Sequence, residues 1–259
     1  MWIVTTGESL PMEIVTRLGI DENNLYDAYC IVLVNDDNSR AIKEVAEEIR
    51  KGGKIALVTD PPYGVRLTRQ YASHSRGRMT DSNDYPNMIG DDHPFNPREV
   101  FSGIIGAKSA TSVLFGADHY MRHLPDGSLH VWDKIDGLKT TKREVGICDG
   151  NDCEFIWSSR AGPSRIFRHR WMGMMKASEQ REKRIHPTQK PVALMRQLLA
   201  YFVPDRDTMI FDPYFGSGAT ALACLEMGYP FLGVEIERQY FEGASRRVAQ
   251  ALTKLPFLS

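Results

Sequence analysis

Two short apolar runs flank one amphipathic segment in the first part of the chain that has a clear pattern. YCIVLVN (29–35) and KIALVT (54–59) have the length and composition of buried strands. Between them, SRAIKEVAEEIRKGG (39–53) repeats apolar residues at helical spacing. The pattern therefore predicts a β-α-β unit that ends at Asp60.

The predicted helix has one apolar face and recognisable ends. Asn38 or Ser39 is suited to cap its N-terminus, and Gly52 is suited to stop it. Residues 1–28 carry no comparable pattern, although PMEIVTRLGI (11–20) could form one helix. The apolar positions at helical spacing are Ile42, Val45 and Ile49.

Further strands and a second helix follow along the chain. DSNDYPNMIGDDHPFNPR (81–98) is polar and rich in turn residues, which predicts a long functional loop. In PVALMRQLLAYFV (191–203), Pro191 suits the first turn of a helix. The apolar face of that helix is Val192, Met195, Leu198, Leu199 and Phe202. The additional strands are predicted in TSVLFGADHY (111–120, with a turn), SLHVWDK (128–134) and CEFIWSS (153–159).

A glycine turn lies within the segment from residue 207 to residue 237. This segment predicts a strand, a turn, a helix beginning near Ala219 and a second strand ending at Glu235. Gly216 and Gly218 would let the backbone approach a bound group, and an acid after the second strand suits the two hydroxyls of a ribose. A structural turn would use the same glycines, but the whole unit favours a nucleoside-containing cofactor. Its glycine spacing departs from GxGxxG, which disfavours a pyrophosphate dinucleotide.

The composition is that of a soluble globular protein. The 259 residues are 42% hydrophobic and 25% charged, which suits one large α/β domain or two small ones. No apolar run approaches the roughly 20 residues that span a bilayer, and the N-terminus lacks the pattern of a signal peptide. The four cysteines are too scattered for a disulfide scaffold or a zinc site. We predict a cytoplasmic protein with reduced thiols and no metal site.

The positive charge is concentrated in two segments. The net charge is −1, but residues 160–186 carry +6 and residues 64–80 carry +4. A solvated basic face is one explanation for either segment. Because both segments adjoin distinctive motifs and have the composition of loops, a polyanionic substrate is favoured.

The first of these motifs is TDPPYG (59–64), directly after a predicted strand. Two prolines cannot continue a central sheet strand, because neither has a backbone donor. An ordinary strand-ending turn would explain the prolines alone. The turn also holds Asp60 and Tyr63 at the carboxyl edge of the sheet, where ligands bind in α/β proteins.

Three motifs together resemble the DNA amino-methyltransferases, which modify adenine N6 or cytosine N4. They are DPPY (60–63), HPTQKP (186–191) and DPYFGSGAT (212–220). Their order resembles the permuted β group, and the intervening segments resemble phage and prophage members. The resemblance covers roughly residues 53–250. Tyr214 and Ala219 stand where Phe and Thr are commoner in the family.

The resemblance implies one methyltransferase domain spanning residues 1–259. Its fold would be α/β and Rossmann-like, with a mixed, mostly parallel seven-stranded sheet and helices on both faces. A catalytic half would occupy about residues 29–159. A short basic target-recognition insert (160–185) and a cofactor half (186–250) would follow it.

The cofactor implied is S-adenosyl-L-methionine. HPTQKP resembles the element that closes over the methionine end, and Asp212 is suited to contact the cofactor amine. Phe215 could attract the sulfonium by a cation–π interaction. The residues expected to bind the cofactor are His186, Thr188, Gln189, Lys190, Asp212, Pro213, Tyr214, Phe215, Gly216, Ser217, Gly218, Thr220 and Glu235.

The catalytic residues implied are those of the tetrapeptide. The Asp60 carboxylate and the Pro61 carbonyl would accept hydrogen bonds from an exocyclic amine and aim its lone pair at the methyl group. Pro62 would keep the turn rigid, and Tyr63 would stack on a base flipped out of the helix. Four more residues of the family pattern could line the pocket or be structural: Asp118, His119, Trp132 and Lys134.

The substrate implied is adenine N6 in duplex DNA, because Asp begins the tetrapeptide. Cytosine N4 is the first alternative; more distant ones are RNA, a protein glutamine and an inactive DNA-binding module. Members of the β group often form homodimers, so the resemblance makes a homodimer one possible assembly of this chain. The residues expected to contact DNA phosphates are Arg66, Arg69, Arg165, Arg168 and Arg170.

Overall fold

The computed structural model describes residues 4–5, 25–26, 31–64, 89–136, 151–172 and 175–254. Most strands of this part of the chain belong to one mixed, mostly parallel sheet in the order β2-β1-β3-β12-β11-β4-β5-β7-β6-β8. The strands are β1 (Val4–Thr5), β2 (Leu25–Tyr26), β3 (Ile31–Asn35), β4 (Ile55–Thr59), β5 (Thr111–Phe115), β6 (Ser128–Asp133), β7 (Cys153–Ser158), β8 (Ile166–Arg168), β9 (Trp171–Met172), β10 (Met175–Lys176), β11 (Met209–Asp212) and β12 (Phe231–Glu235). The strands β9 and β10 pair separately with each other.

The predicted sheet of seven strands corresponds to the central part of this ten-stranded sheet. The run from β3 to β6 in the spatial order contains seven strands. The three additional strands, β1, β2 and β8, have two or three residues each and lie at the two edges. The α/β class and the mixed, mostly parallel sheet are therefore confirmed, with three more strands than expected.

Helices cover both faces of the sheet, as predicted. In β3, Ile31 and Leu33 belong to the apolar cluster that contains the helices Val192–Phe202, Ala219–Met227 and Arg238–Leu252. Val32 and Val34 belong to the cluster that contains the helix Asn38–Arg50. A strand buried on both faces reads as a continuous apolar run, because both sets of side chains leave water. The helices are α1 (Asn38–Arg50), α2 (Pro97–Val100), α3 (Ala117–Tyr120), α4 (Val192–Phe202), α5 (Ala219–Met227) and α6 (Arg238–Leu252).

The ends of two helices differ from the predictions by one position. The N-cap of α1 is Asp37, whose side chain accepts a hydrogen bond from Ser39 N at 2.9 Å, and not Asn38 or Ser39. Gly52 follows the helix with a φ of +97°, as a stop residue should. Pro191 is the N-cap of α4 and precedes its first turn, because its ψ of 136° is extended.

The segment predicted between residues 207 and 237 is confirmed. The strand β11, the glycine turn, α5 and β12 follow one another, and Gly216 and Gly218 have φ values of +48° and +78°. An L-residue pays a steric cost at such angles, which explains the choice of glycine.

The basic insert is only partly loop. It contains β8, which pairs in parallel with β6, and the β9–β10 hairpin. The predicted helix at 11–20 lies outside the described residues, as do most of the basic segment at 64–80 and the first part of the loop at 81–98. Within the described ranges, no helix is both long enough and apolar enough to cross a membrane.

Candidate active site

The carboxyl ends of five parallel strands meet at one edge of the sheet. Neighbouring strands β3, β12, β11, β4 and β5 run in the same direction. Consequently Asp212 and Glu235 end their strands beside Asp60, which directly follows β4. These side chains face a cavity of about 260 Å³, whose lining also includes His186, Lys190 and Phe215.

Asp212 holds the start of the glycine turn. Its Oδ1 accepts from the Thr59 hydroxyl at 2.6 Å and from Tyr214 N at 3.2 Å. Its Oδ2 accepts from the Thr220 hydroxyl at 2.7 Å. Burial raises the pKa of Asp212 to about 6, while these three donors lower it. The carboxyl group therefore joins β4, β11 and α5 at the floor of the cavity.

Glu235 holds the other side of the same turn. Its Oε2 accepts from Gly216 N at 3.0 Å, and its Oε1 accepts from Glu237 N at 2.9 Å. Burial raises the pKa of Glu235 to about 7. Each carboxylate oxygen has two lone pairs, so Glu235 retains the capacity to accept hydrogen bonds from a ligand in the cavity.

His186 packs under the glycine turn. Its ring meets the Tyr240 ring edge-on at 4.3 Å, and its Nδ1 lies 3.1 Å from the Thr188 hydroxyl. A Cβ added to Gly216 would lie 3.3 Å from His186 Nε2. Burial, together with the charge of Lys190, lowers the pKa of His186 to about 3, so its imidazole is neutral.

Gln189 offers an unused donor at this cavity. Its Oε1 accepts from Ile185 N at 3.1 Å, and its backbone carbonyl accepts from Trp171 Nε1 at 2.9 Å. Its Nε2 is buried and has no hydrogen-bond partner among the described residues. A buried amide without a partner is costly, and a ligand with an acceptor oxygen would satisfy it.

All but one of the residues predicted to bind the cofactor line the cavity. Gly218 lies outside the lining, at the N-cap of α5. The residues that line it are His186, Thr188, Gln189, Lys190, Asp212, Pro213, Tyr214, Phe215, Gly216, Ser217, Thr220 and Glu235. The local motifs thus predicted a set of residues that the fold brings together.

Within the predicted tetrapeptide, Asp60 and Pro62 line the cavity, whereas Pro61 and Tyr63 do not. The Tyr63 hydroxyl donates a hydrogen bond to Asp60 Oδ1, and the Lys190 ammonium donates one to Asp60 Oδ2. Lys190 was expected on the cofactor, but its charged group contacts the carboxylate of Asp60.

The ring of Tyr63 already has a stacking partner. It lies 4.8 Å from the His119 ring at an interplanar angle of 11°. Gly116 lies so close that a Cβ there would come within 2.1 Å of Tyr63 Cε1. The stacking surface that we predicted for a base is therefore covered on one side by an imidazole.

Three site residues were missed from the sequence: Thr59, Asp91 and Glu154. Asp91 Oδ1 accepts from Gly64 N at 2.9 Å and so holds the end of the tetrapeptide turn. Glu154 lies 3.3 Å from the Lys190 ammonium and accepts from Lys134 at 2.8 Å. The sequence contained a sign of this role, since Glu154 is the one charged residue in the predicted strand CEFIWS.

The arginines predicted to bind DNA are only partly free for that role. Arg165 Nε donates to the Tyr201 hydroxyl at 3.0 Å, and Arg168 Nε lies 3.8 Å from an Asp133 carboxylate oxygen. Arg170 is half-buried, with no partner for its Nε among the described residues. Arg66 and Arg69 lie outside the described residues.

Comparison with known proteins finds similarity over part of the chain. Residues 129–246 match the family model of the N6/N4 methylases, described as DNA methylase. The chain is 36% identical over 66 residues to the putative methylase YubD of Escherichia coli (strain K12), covering 26% of this chain and 29% of YubD. It is 29% identical over 83 residues to the type II methyltransferase M2.LlaDCHI of Lactococcus lactis subsp. cremoris, covering 32% of this chain and 30% of that protein. The alignments thus span less than a third of these relatives.

The fold also has a counterpart among solved structures. The PvuII DNA methyltransferase (cytosine-N4-specific) matches with a TM-score of 0.51 and 12% identity, covering 88% of this chain and 93% of that one. At this identity the match concerns the fold alone. It supports the α/β architecture described above.

Proposed function

We propose that the protein is an S-adenosylmethionine-dependent DNA amino-methyltransferase that methylates N6 of adenine in duplex DNA. The observation that carries the proposal is the position of Asp60. Its carboxylate lines the same cavity as the glycine turn and Glu235. An acceptor for an amine and a site suited to a nucleoside thus share one cavity.

The residues of the cavity suit S-adenosylmethionine. The Gln189 amide supplies a donor for a carboxylate, and Glu235 supplies acceptors for ribose hydroxyls. The Phe215 ring and the acidic side chains suit a positively charged group. When bound, S-adenosylmethionine supplies the methyl group.

The chemistry assigned to the chain itself is orientation and proton acceptance. An exocyclic base amine is a weak nucleophile, because its lone pair is delocalised into the ring. Asp60 and the Pro61 carbonyl accept hydrogen bonds from the two N–H groups and thereby direct the lone pair. An exocyclic amine that has accepted a methyl group must lose one proton to become neutral, and Asp60 would be placed to accept that proton.

The base must leave the DNA helix to reach Asp60. Flipping costs a few kcal/mol, and base–aromatic stacking of roughly 1–3 kcal/mol offsets part of it. The Tyr63 ring is the surface proposed for this stacking. Because His119 occupies one side of that ring, entry of the base requires the imidazole to move or the base to use the other side.

The proposed subgroup, the target base and the DNA contacts are inferred from the motifs and the exposed arginines. The tetrapeptide at 60–63 precedes HPTQKP and the glycine turn, an order that supports the β group and its phage-type members. Asp as first residue of the tetrapeptide supports adenine over cytosine. Exposed Arg165 and Arg168 at the edge strand support contacts with DNA phosphates.

The decisive experiment identifies the product. Unmethylated duplex DNA is incubated with the protein and methyl-labelled S-adenosylmethionine, digested to nucleosides and measured by mass spectrometry. We expect N6-methyladenine from the wild type and none from Asp60→Ala. Asp205→Ala is the matched control, because Asp205 forms an exposed ion pair with Lys54 at 2.8 Å.

Each other outcome has a definite meaning. Detection of N4-methylcytosine would show that the target base is cytosine and not adenine. Methylation that persists in Asp60→Ala would remove Asp60 from the catalytic role. Cofactor binding without any labelled base would overturn the DNA substrate, and the same assay would then be run on RNA and protein.

A further inference from the structure

Asp60 is the end of a row of alternating charges inside the protein. Lys134 donates to Glu154 Oε1 at 2.8 Å, and Glu154 Oε2 lies 3.3 Å from the Lys190 ammonium. Lys190 in turn contacts Asp60 Oδ2. The row joins the residue after β6, strand β7, the turn before α4 and the residue after β4, four parts of the chain that are distant in sequence.

Lys190 is confined where it lies. Its side chain is 9% exposed, and its ammonium lies 5.1 Å from the centre of the Phe115 ring. The neighbouring residue Gln189 is held by Trp171 and Ile185. A confined, desolvated ammonium between two carboxylates interacts with them more strongly than an exposed pair would, because water screens it little.

We propose that Lys190 is a positioning residue that keeps the Asp60 carboxylate charged and fixed in orientation, and that Glu154 holds Lys190 in place. This inference rests on the proposed function. It also changes the role of Lys190, which the sequence motif placed on the cofactor. Lys190 acts through Asp60 and not on the transferred group.

The chemistry explains why Asp60 needs such a partner. A carboxylate accepts hydrogen bonds at both oxygens, whereas a protonated carboxyl group presents one O–H donor that would repel an amine N–H. The site is buried, and burial favours the neutral form. Lys190 counteracts that preference at Oδ2, while the Tyr63 hydroxyl holds Oδ1.

The charges around Asp60 predict opposite effects from its two neighbours. Burial raises the pKa of Asp60, the Lys190 charge lowers it and the Glu154 charge raises it. Removing Lys190 should therefore raise the pKa of Asp60 further, and removing the Glu154 charge should lower it. The titratable groups that interact electrostatically with Asp60 are Lys190, Glu154, Tyr63, Tyr120 and Asp212.

The test compares Lys190→Met, Lys190→Arg and Glu154→Gln. For Lys190→Met we expect kcat to fall by about 10²-fold, as for other small displacements of a reacting group. The acidic limb of its pH–rate profile should move to higher pH by about one unit or more. The limb should move to lower pH in Glu154→Gln and stay near that of the wild type in Lys190→Arg.

A second readout does not depend on activity. The side-chain carboxyl carbons of Asp are labelled with 13C, and the Asp60 resonance, assigned with Asp60→Asn, is titrated by NMR. It should titrate at higher pH in Lys190→Met and at lower pH in Glu154→Gln. Lys54→Met is the matched control, since it removes an exposed ammonium from Asp205 and should leave both readouts unchanged.

The inference and the proposed function fail in different ways. An Asp60 titration that is unchanged in Lys190→Met, or that moves in the same direction in both variants, overturns the inference. So does a weaker Kd for S-adenosylmethionine in Lys190→Met with kcat unchanged at saturation, which would return Lys190 to the cofactor. A wild type that methylates no substrate overturns the proposed function, and the NMR titration still decides whether Lys190 controls Asp60.

Discussion

The two sides of the cavity are built in different ways. The turn side, residues 212–220 with Glu235, is held by backbone amides and hydroxyls: Asp212 to Thr220 across 8 positions and Gly216 to Glu235 across 19. The charged side comprises Asp60 and Lys190, which line the cavity, and their partners Tyr63 and Glu154. Its central contact, Lys190 to Asp60, spans 130 positions.

This difference has a physical consequence. On the turn side, backbone angles and short hydrogen bonds determine the shape, so a change of backbone or side-chain volume should disturb cofactor binding. On the charged side, a buried ion pair determines the ionisation of one carboxylate, so a change of position or charge should disturb catalysis. Variants that separate kcat from cofactor Kd test this division.

The largest effect is expected at Gly116, on the charged side. A Cβ in Gly116→Ala would come within 2.1 Å of Tyr63 Cε1, so the ring must move away from its position. We expect kcat to fall by about 10²-fold, with cofactor Kd unchanged. Stopped-flow kinetics and calorimetry measure the two quantities.

The matched control for this variant is Gly106→Ala. Gly106 also has a positive φ, +87°, but an added Cβ meets nothing within 4 Å. It therefore reproduces the backbone strain without the collision. Equal losses of kcat in both variants would contradict the role assigned to the position of Tyr63.

A smaller effect is expected at Gly216, on the turn side. Gly216→Ala adds a Cβ at a φ of +48° and 3.3 Å from His186 Nε2. The strain of about 1–2 kcal/mol should weaken cofactor binding about tenfold, while kcat at saturating cofactor stays close to that of the wild type. Gly228→Ala, with a φ of +74° and open space around it, is the control.

The ionisation of Glu235 should produce an effect of several-fold. Because its pKa is raised to about 7, Glu235 is a carboxylate above that pH and becomes protonated as the pH falls through it. Cofactor affinity should therefore decline by about fivefold in all as the pH falls through 7. Glu235→Gln should bind about fivefold more weakly at pH 8.

The pH dependence itself is the sharper test of Glu235. Calorimetry from pH 6 to 8 should give a cofactor Kd that changes in the wild type and stays nearly constant in Glu235→Gln. A dependence that survives the substitution would assign the titration to another group, and Asp212, with its pKa raised to about 6, would be examined next.

The smallest effect concerns DNA affinity. Arg168 has an exposed side chain beside Asp133, so Arg168→Ala should weaken DNA binding only a few-fold. The slope of log K against log salt should fall by about 1. Arg206→Ala is the control, because Arg206 precedes β11 and so lies toward the amino ends of the parallel strands, away from the cavity at their carboxyl ends. An unchanged slope in Arg168→Ala would remove this arginine from the DNA interface.

The sequence predicted the turn side better than the charged side. The strand, the glycine turn and the acid at Glu235 follow from residues close in the chain, and all lie where they were expected. The capping residue of α1 was missed by one position, because Asp37, Asn38 and Ser39 are all good caps and the choice among them depends on the backbone entering the helix.

The basic insert (160–185) was also predicted less well, because the partners of its charged side chains come from distant parts of the chain. Its net charge follows from the sequence, but that charge does not predict that the Arg160 guanidinium donates to the Phe202 carbonyl at 2.8 Å or that Lys176 is buried. A positive segment becomes a DNA surface only where its cations face water. That depends on which neighbours the fold supplies.

The sequence by itself determined the α/β class, the strands and helices of the central sheet, and the glycine turn, since these depend on periodicity and on local backbone angles. The tertiary structure decided the partners of the charged groups. Lys190 belongs to a motif that suggested the cofactor, yet the parallel order of β11, β4 and β5 brings Asp60 to its ammonium and β7 adds Glu154. An electrostatic interaction depends on distance in space, and spacing along the chain does not contain that distance.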